Sequence, residues 1–115
     1  MTELTQKRCL PCEGGVKPLN HDESTALLKQ LNDWKLSDDA KWISRKLSFK
    51  NFEETMEFVN SVAKVAEEEN HHPDVSFGYN YCDITFQTHA IDGLSENDFI
   101  CAAKIDALFS QSFRT

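Results

Sequence analysis

Pro73 separates two hydrophobic periods, and that change of period constrains the fold of the 115-residue chain more than any other feature. Before it, Phe52, Met56, Val59, Val62, Ala63 and Ala66 recur at intervals of three and four, which places side chains on one face of an α-helix. After it, Val75, Phe77 and Tyr79 alternate with Ser76, Gly78 and Asn80, and Ile84, Phe86 and Thr88 alternate with Thr85, Gln87 and His89. A period of two is that of a strand with one buried face. Proline disfavours the helical conformation for the residue before it, so the helix ends around Asn70 and the chain continues into a hairpin that turns near Asn80.

The flanking segments follow the same grammar. A helix opening at Asp22 or Ser24 carries Ala26, Leu27, Leu28 and Leu31 on one side and ends near Asn32 and Asp33. Trp34–Leu36 and Lys41–Phe49 read as two strands joined by the turn Ser37-Asp38-Asp39, with Ile43, Leu47 and Phe49 on one face and Trp42 on the other. Asn51 caps the helix before Pro73, with Glu54 completing the cap. Ser95 caps a last helix that turns Phe99, Ile100, Ala103, Ala107 and Leu108 inward, and Asp98, its third residue, reaches back to the cap. The order helix-strand-strand-helix-strand-strand-helix predicts an α+β fold, a four-stranded antiparallel sheet with three helices packed on one face. Residues 1–20, with Pro11, Gly14, Gly15 and Pro18, read as an extended arm, and residues 21–115 as a single domain. A sheet covered on one side leaves an edge or face in need of protection, which points to oligomerisation through a helix or strand edge.

A net charge of −7 without a basic stripe argues against direct contact with nucleic acid. No apolar run approaches the ~20 residues that span a bilayer, and the polar start Met1–Arg8 lacks a signal-peptide core, so the expected location is cytoplasmic, away from membranes. Of the four cysteines, Cys9 and Cys12 have the spacing of a zinc knuckle or a redox pair. The other half of a four-ligand site would have to come from scattered residues, so the expectation is a reduced pair and no metal.

Three of the four histidines, His71, His72 and His89, fall between residues 67 and 98, each at the end of an element. Imidazole, with an unperturbed pKa of ~6.5, exchanges protons near neutrality, so this grouping suggests acid–base chemistry. The helix end and the run Glu67-Glu68-Glu69 would attract positive charge on the pair, and Glu67, four residues before His71, could orient it. Asp98 is explained by capping alone, with support of a histidine as its second reading.

The pattern Glu67-x-x-x-His71-His72-Pro73, an aromatic hairpin, Thr88-His89, and Gly93-Leu94-Ser95-Glu96-x-Asp98 closely resembles the pterin-4a-carbinolamine dehydratases, over about residues 20–110. The resemblance implies the same α+β architecture and the loss of water from 4a-hydroxytetrahydrobiopterin to give quinonoid dihydropterin. That reaction recycles the tetrahydropterin cofactor of aromatic amino acid hydroxylases. It implies a pterin substrate, no cofactor, and His71, His72 and His89 as catalytic residues supported by Glu67 and Asp98. The substrate would be held by His71, His72, Pro73, Thr88, His89, Ala90 and Ile91. Two positions depart from some relatives, Asn70 where they carry aspartate and Asn97 where they carry arginine. Animal relatives also act as dimerisation cofactors of a transcription factor, so a non-catalytic protein-binding module is the alternative. If the histidines are the acid and base, exhaustive chelation leaves the dehydration rate unchanged; activity lost on chelation and restored by zinc would contradict this.

Overall fold

The computed structural model describes residues 4–7, 9 and 17–112, the last by its backbone only. Its helices start where side chains meet free amides. Asn20 and Glu23 form a reciprocal capping box at the head of α1 (His21–Leu28), with Asn20 Oδ1 accepting from Glu23 N at 2.8 Å and Glu23 Oε1 from Asn20 N at 2.9 Å. This helix ends before the expected Asn32–Asp33, because Gln30 and Leu31 bond three residues back and Asp33 is left-handed, with φ 60°. Asn51 caps α2 (Phe52–Glu69) by accepting from Glu54 N at 2.9 Å, while the Glu54 carboxylate receives Lys50 N at 3.2 Å. The last helix, α3, runs Glu96–Ser112.

The strands are β1 (Lys35–Leu36), β2 (Ile43–Ser48), β3 (Asp74–Gly78) and β4 (Tyr81–Phe86), paired antiparallel in the order β1-β2-β4-β3. Register runs from Ile43 opposite Phe86 to Ser48 opposite Tyr81, and Gly78 opposite Tyr81 leaves Tyr79 and Asn80 as a two-residue turn. Ile43, Leu47, Cys82, Ile84 and Phe86 thus point to one side and meet Phe58, Val62, Phe99, Ile100 and Ile105 of the helices. This is the α+β arrangement expected from the sequence, three helices with a four-stranded antiparallel sheet.

On α2 the buried stripe is Thr55, Phe58, Val62, Ala66 and Glu69, rotated from the expected one. Phe52 is 46% exposed and Ala63 lies on the surface. Thr55 can enter the core because its hydroxyl lies 3.0 Å from the Asn51 and Tyr79 carbonyls, so burial leaves no orphaned polar atom. A second polar anchor is Asp106 of α3, which accepts from Trp34 Nε1 at 2.8 Å, Asn32 N at 2.9 Å and Arg45 at 2.5 Å. It ties the helix to β1 and β2, and Arg45 also lies over the Phe109 ring at 5.2 Å.

Of the expected N-terminal arm the structure describes residues 4–7, 9 and 17–20. Leu4–Gln6 form a 3₁₀ turn, Leu4 is buried in the core cluster, Lys7 pairs with Glu96 at 2.9 Å, and Cys9 N donates to Glu69 Oε1 at 2.8 Å. One apolar side chain is enough to seat the segment, since burying a leucine contributes about 1.5–3 kcal/mol. Cys12 lies outside the described residues. Among the described residues no helix is long and apolar enough to cross a membrane. Replacing Leu4 by alanine should lower unfolding free energy by about 2–4 kcal/mol in denaturant titration; an unchanged midpoint would show that the turn does not contribute to the core.

Candidate functional site

The site begins with the way α2 stops. Asn70 is left-handed (φ 52°, ψ 43°), and the amides of Asn70 and His71 reach back to the carbonyls of Glu67 at 3.4 Å and Ala66 at 3.0 Å. This double closure ends the helix, and asparagine is one of the few non-glycine residues that tolerates the conformation. So the helix stops where the sequence suggested, with Asn70 as the immediate cause and Pro73 following.

The same turn aims His71 at α3. Its Nε2 lies 2.6 Å from Asp98 Oδ1, and its ring stacks on Phe86 with centroids 5.9 Å apart and planes 7° apart. Asp98 has no exposed surface; its other oxygen accepts from Thr88 Oγ1 at 2.7 Å and from Ser95 N at 3.0 Å. The one side chain thus accepts the Ser95 amide at the start of α3 and contacts His71. An ionised Asp98 only accepts, so its partner Nε2 is then the protonated nitrogen and Nδ1 the unprotonated one of a neutral ring. Because the single Thr88 proton goes to Asp98, the Ser95 hydroxyl, 2.8 Å from Thr88 Oγ1, donates to Thr88.

Glu67 serves a different partner from the one expected. The left-handed Asn70 takes His71 off the helical path, so the four-residue relation is lost, and Glu67 Oε2 instead meets His72 Nε2 at 2.5 Å on the exposed surface. Glu69 turns inward to Cys9 N and to Lys104 Nζ, the latter at 3.3 Å. His89 opens a 3₁₀ turn, His89–Ile91, and does not end a strand: β4 closes at Phe86, and Thr88 then bridges to Gly93. A Cβ on Gly93 would lie 2.8 Å from Pro18 Cβ, so glycine is what lets the segment before α1 pass there.

His71, His72 and His89 line one cleft of about 430 Å³, together with Thr88 and Ala90. Pro73 lines a neighbouring apolar hollow with Ala66 and Val75, and Ile91 is absent from the cleft wall. Cys9, Glu69 and Gln87 also belong to the wall; of these only Gln87 carried no functional signal in the sequence. Asn70 and Asn97, the two departures from some relatives, also line it, so both substitutions act on the cleft itself.

Fold and cleft define an α+β domain that groups three imidazoles, one of them backed by a buried carboxylate. The chain belongs to the pterin 4 alpha carbinolamine dehydratase family, whose sequence profile matches residues 17–108. A provisionally named pterin-4-alpha-carbinolamine dehydratase of Nitrosomonas europaea is 56% identical over 108 residues, covering 93% of this chain and 94% of that protein. Among solved structures, a transcriptional coactivator/pterin dehydratase from Brucella melitensis superposes with a TM-score of 0.76 at 33% identity, over 80% of this chain and 98% of its own. A pterin dehydratase-like protein identified as a RuBisCO assembly factor in the alpha-carboxysome superposes with a TM-score of 0.61 at 26% identity, over 70% and 94%.

The Asp98 contact fixes the tautomer, which gives a direct check. Neutral His71 should show the Nε2–H form in ¹⁵N-resolved spectra. Asp98→Asn should disturb that signature and lower stability by about 1–3 kcal/mol as buried donors lose their acceptor. A His71 that carries its proton on Nδ1 in the unaltered protein would contradict the geometry.

Proposed function

We propose that the protein dehydrates a pterin-4a-carbinolamine, 4a-hydroxytetrahydrobiopterin or a close relative, to the quinonoid dihydropterin and water. The observation that carries this reading is the Asp98-backed His71 in a cleft shared with His72 and His89. Family membership supports it. As the C4a–O bond breaks, its electron pair leaves on oxygen, which takes a proton from an acid and departs as water. A base removes the proton from the adjacent ring nitrogen, whose electrons form the new C=N bond. The proton balance closes within the two catalytic groups and needs no cofactor.

His71 is the base in this scheme. The Asp98 carboxylate stabilises the imidazolium that forms when Nδ1 takes a proton, and the Phe86 stack keeps the ring from turning. The acid is supplied by the more exposed His72 or His89, with Glu67 holding the His72 ring. Thr88 and Ala90 offer a wall against which the bicyclic ring can lie, the cleft volume being in the range of small-molecule sites. The product would return to a tetrahydropterin-dependent aromatic amino acid hydroxylase after reduction.

A protein-binding role is the second reading. Val75 and Phe77 of the edge strand β3 and Tyr79 of the turn after it stand 36%, 41% and 65% exposed, which suits association with another protein surface or a homodimer or homotetramer. The two structural neighbours, one named a transcriptional coactivator and one a RuBisCO assembly factor, are in keeping with such surfaces on this fold.

Alanine at His71, His72 or His89 should lower the rate of dehydration of chemically generated carbinolamine by about one to four powers of ten. The exposed His72 and His89 variants should melt close to the unaltered protein, whereas His71→Ala should also lose stability because it leaves Asp98 short of a donor. Full activity in all three variants would move the binding role to first place.

A further inference from the structure

The acid–base scheme leaves one pair of reactive side chains unused. Cys9 Sγ and Cys101 Sγ lie 3.6 Å apart, both free thiols, although 92 positions separate them in the chain. Cys101 is fully buried on α3, one turn beyond Asn97 and Asp98; Cys9 is half-buried and part of the cleft wall. Their approach is held from both sides. Cys9 N donates to Glu69, Cys9 Sγ lies 3.7 Å from the Asn97 carbonyl, Lys7 pairs with Glu96, and Leu4 is seated in the core. The spacing Cys9-x-x-Cys12 nominates the local neighbour as partner, but the geometry puts α3 against Cys9.

We propose that Cys9 and Cys101 form a dithiol that closes to a reversible intramolecular disulfide when the protein meets a peroxide, fastening the N-terminal segment to α3 beside the cleft. The sulfurs need to close from 3.6 Å to about 2.05 Å, a movement of about 1.5 Å. In the first step the Cys9 thiolate attacks a peroxide oxygen. The O–O bond breaks, the departing hydroxide takes a proton to become water, and Cys9 is left as a sulfenic acid. In the second, the Cys101 sulfur attacks the Cys9 sulfur, the S–O bond breaks, and the Cys101 proton leaves with the hydroxide as a second water. The two electrons lost by the thiols are those gained by the peroxide. The hydrogen bond with Cys9, then burial, pushes the Cys101 thiol upward and keeps it out of the first attack, which falls to the more accessible Cys9; Cys101 enters the second step because its sulfur already lies 3.6 Å from that of Cys9. Because the bond closes a long loop, the oxidised form should be the more resistant to unfolding. None of this depends on the dehydratase reading.

The test treats the whole protein with equimolar hydrogen peroxide, alkylates the remaining thiols, and maps peptides by mass spectrometry without reduction. The expected result is a monomeric product with Cys9 joined to Cys101, reversed by dithiothreitol, formed equally in the Cys12→Ser variant and absent in Cys101→Ala. The Cys12→Ser comparison carries the test if Cys101→Ala does not fold. A Cys9–Cys12 bond as the main product, cross-links between chains, or peroxide-treated protein in which Cys101 is still free for alkylation on denaturation would each overturn the proposal.

Discussion

The contact between Asp98 and His71 is the constraint on which the rest of the site depends. It joins the C-terminal end of α2 to the first turn of α3, through a partly buried 2.6 Å contact between residues 27 positions apart. A buried carboxylate is costly unless its acceptor capacity is filled, and here imidazole, a threonine hydroxyl and a backbone amide fill it. The arrangement therefore serves two ends. The carboxylate caps its own helix, and the same charge fixes one nitrogen of the histidine, so the stability of α3 and the chemistry of the cleft share a single side chain.

That sharing explains why the two helix ends are built as they are. Asn70 must be left-handed for His71 to leave the axis of α2 and face α3, and the same turn sends Glu67 to His72. Gly93 must lack a side chain for the segment around Pro18 to pass beneath the loop that carries Thr88 and His89. Phe86 ends β4 directly under the His71 ring, so the sheet, both long helices and the 3₁₀ turn each contribute one element of the pocket.

Local signals were legible in the sequence wherever the cause was local. Asn51 and Ser95 announce their helices, the alternation through Ile84 and Phe86 gives a strand with one buried face, and the three histidines stand out by residue type. What was not legible depends on contacts between distant segments. The stripe of α2 rotates because Thr55 finds carbonyl partners across the hairpin and Glu69 finds Lys104 and Cys9. Periodicity rates both residues as polar and puts them outside. The 3₁₀ turn at Leu4–Gln6 and the Asp106 cluster have the same origin, since a buried partner dozens of positions away leaves no mark on the local pattern.

The central claim is that Asp98 acts through His71, and a double-mutant cycle on the dehydration rate tests it most directly. The account predicts that Asp98→Asn slows the unaltered protein by about tenfold or more, yet changes the rate of a His71→Ala protein by less than about threefold, because the group it positions is already gone. Equal slowing in both backgrounds would contradict the account and assign Asp98 a purely structural or independent role.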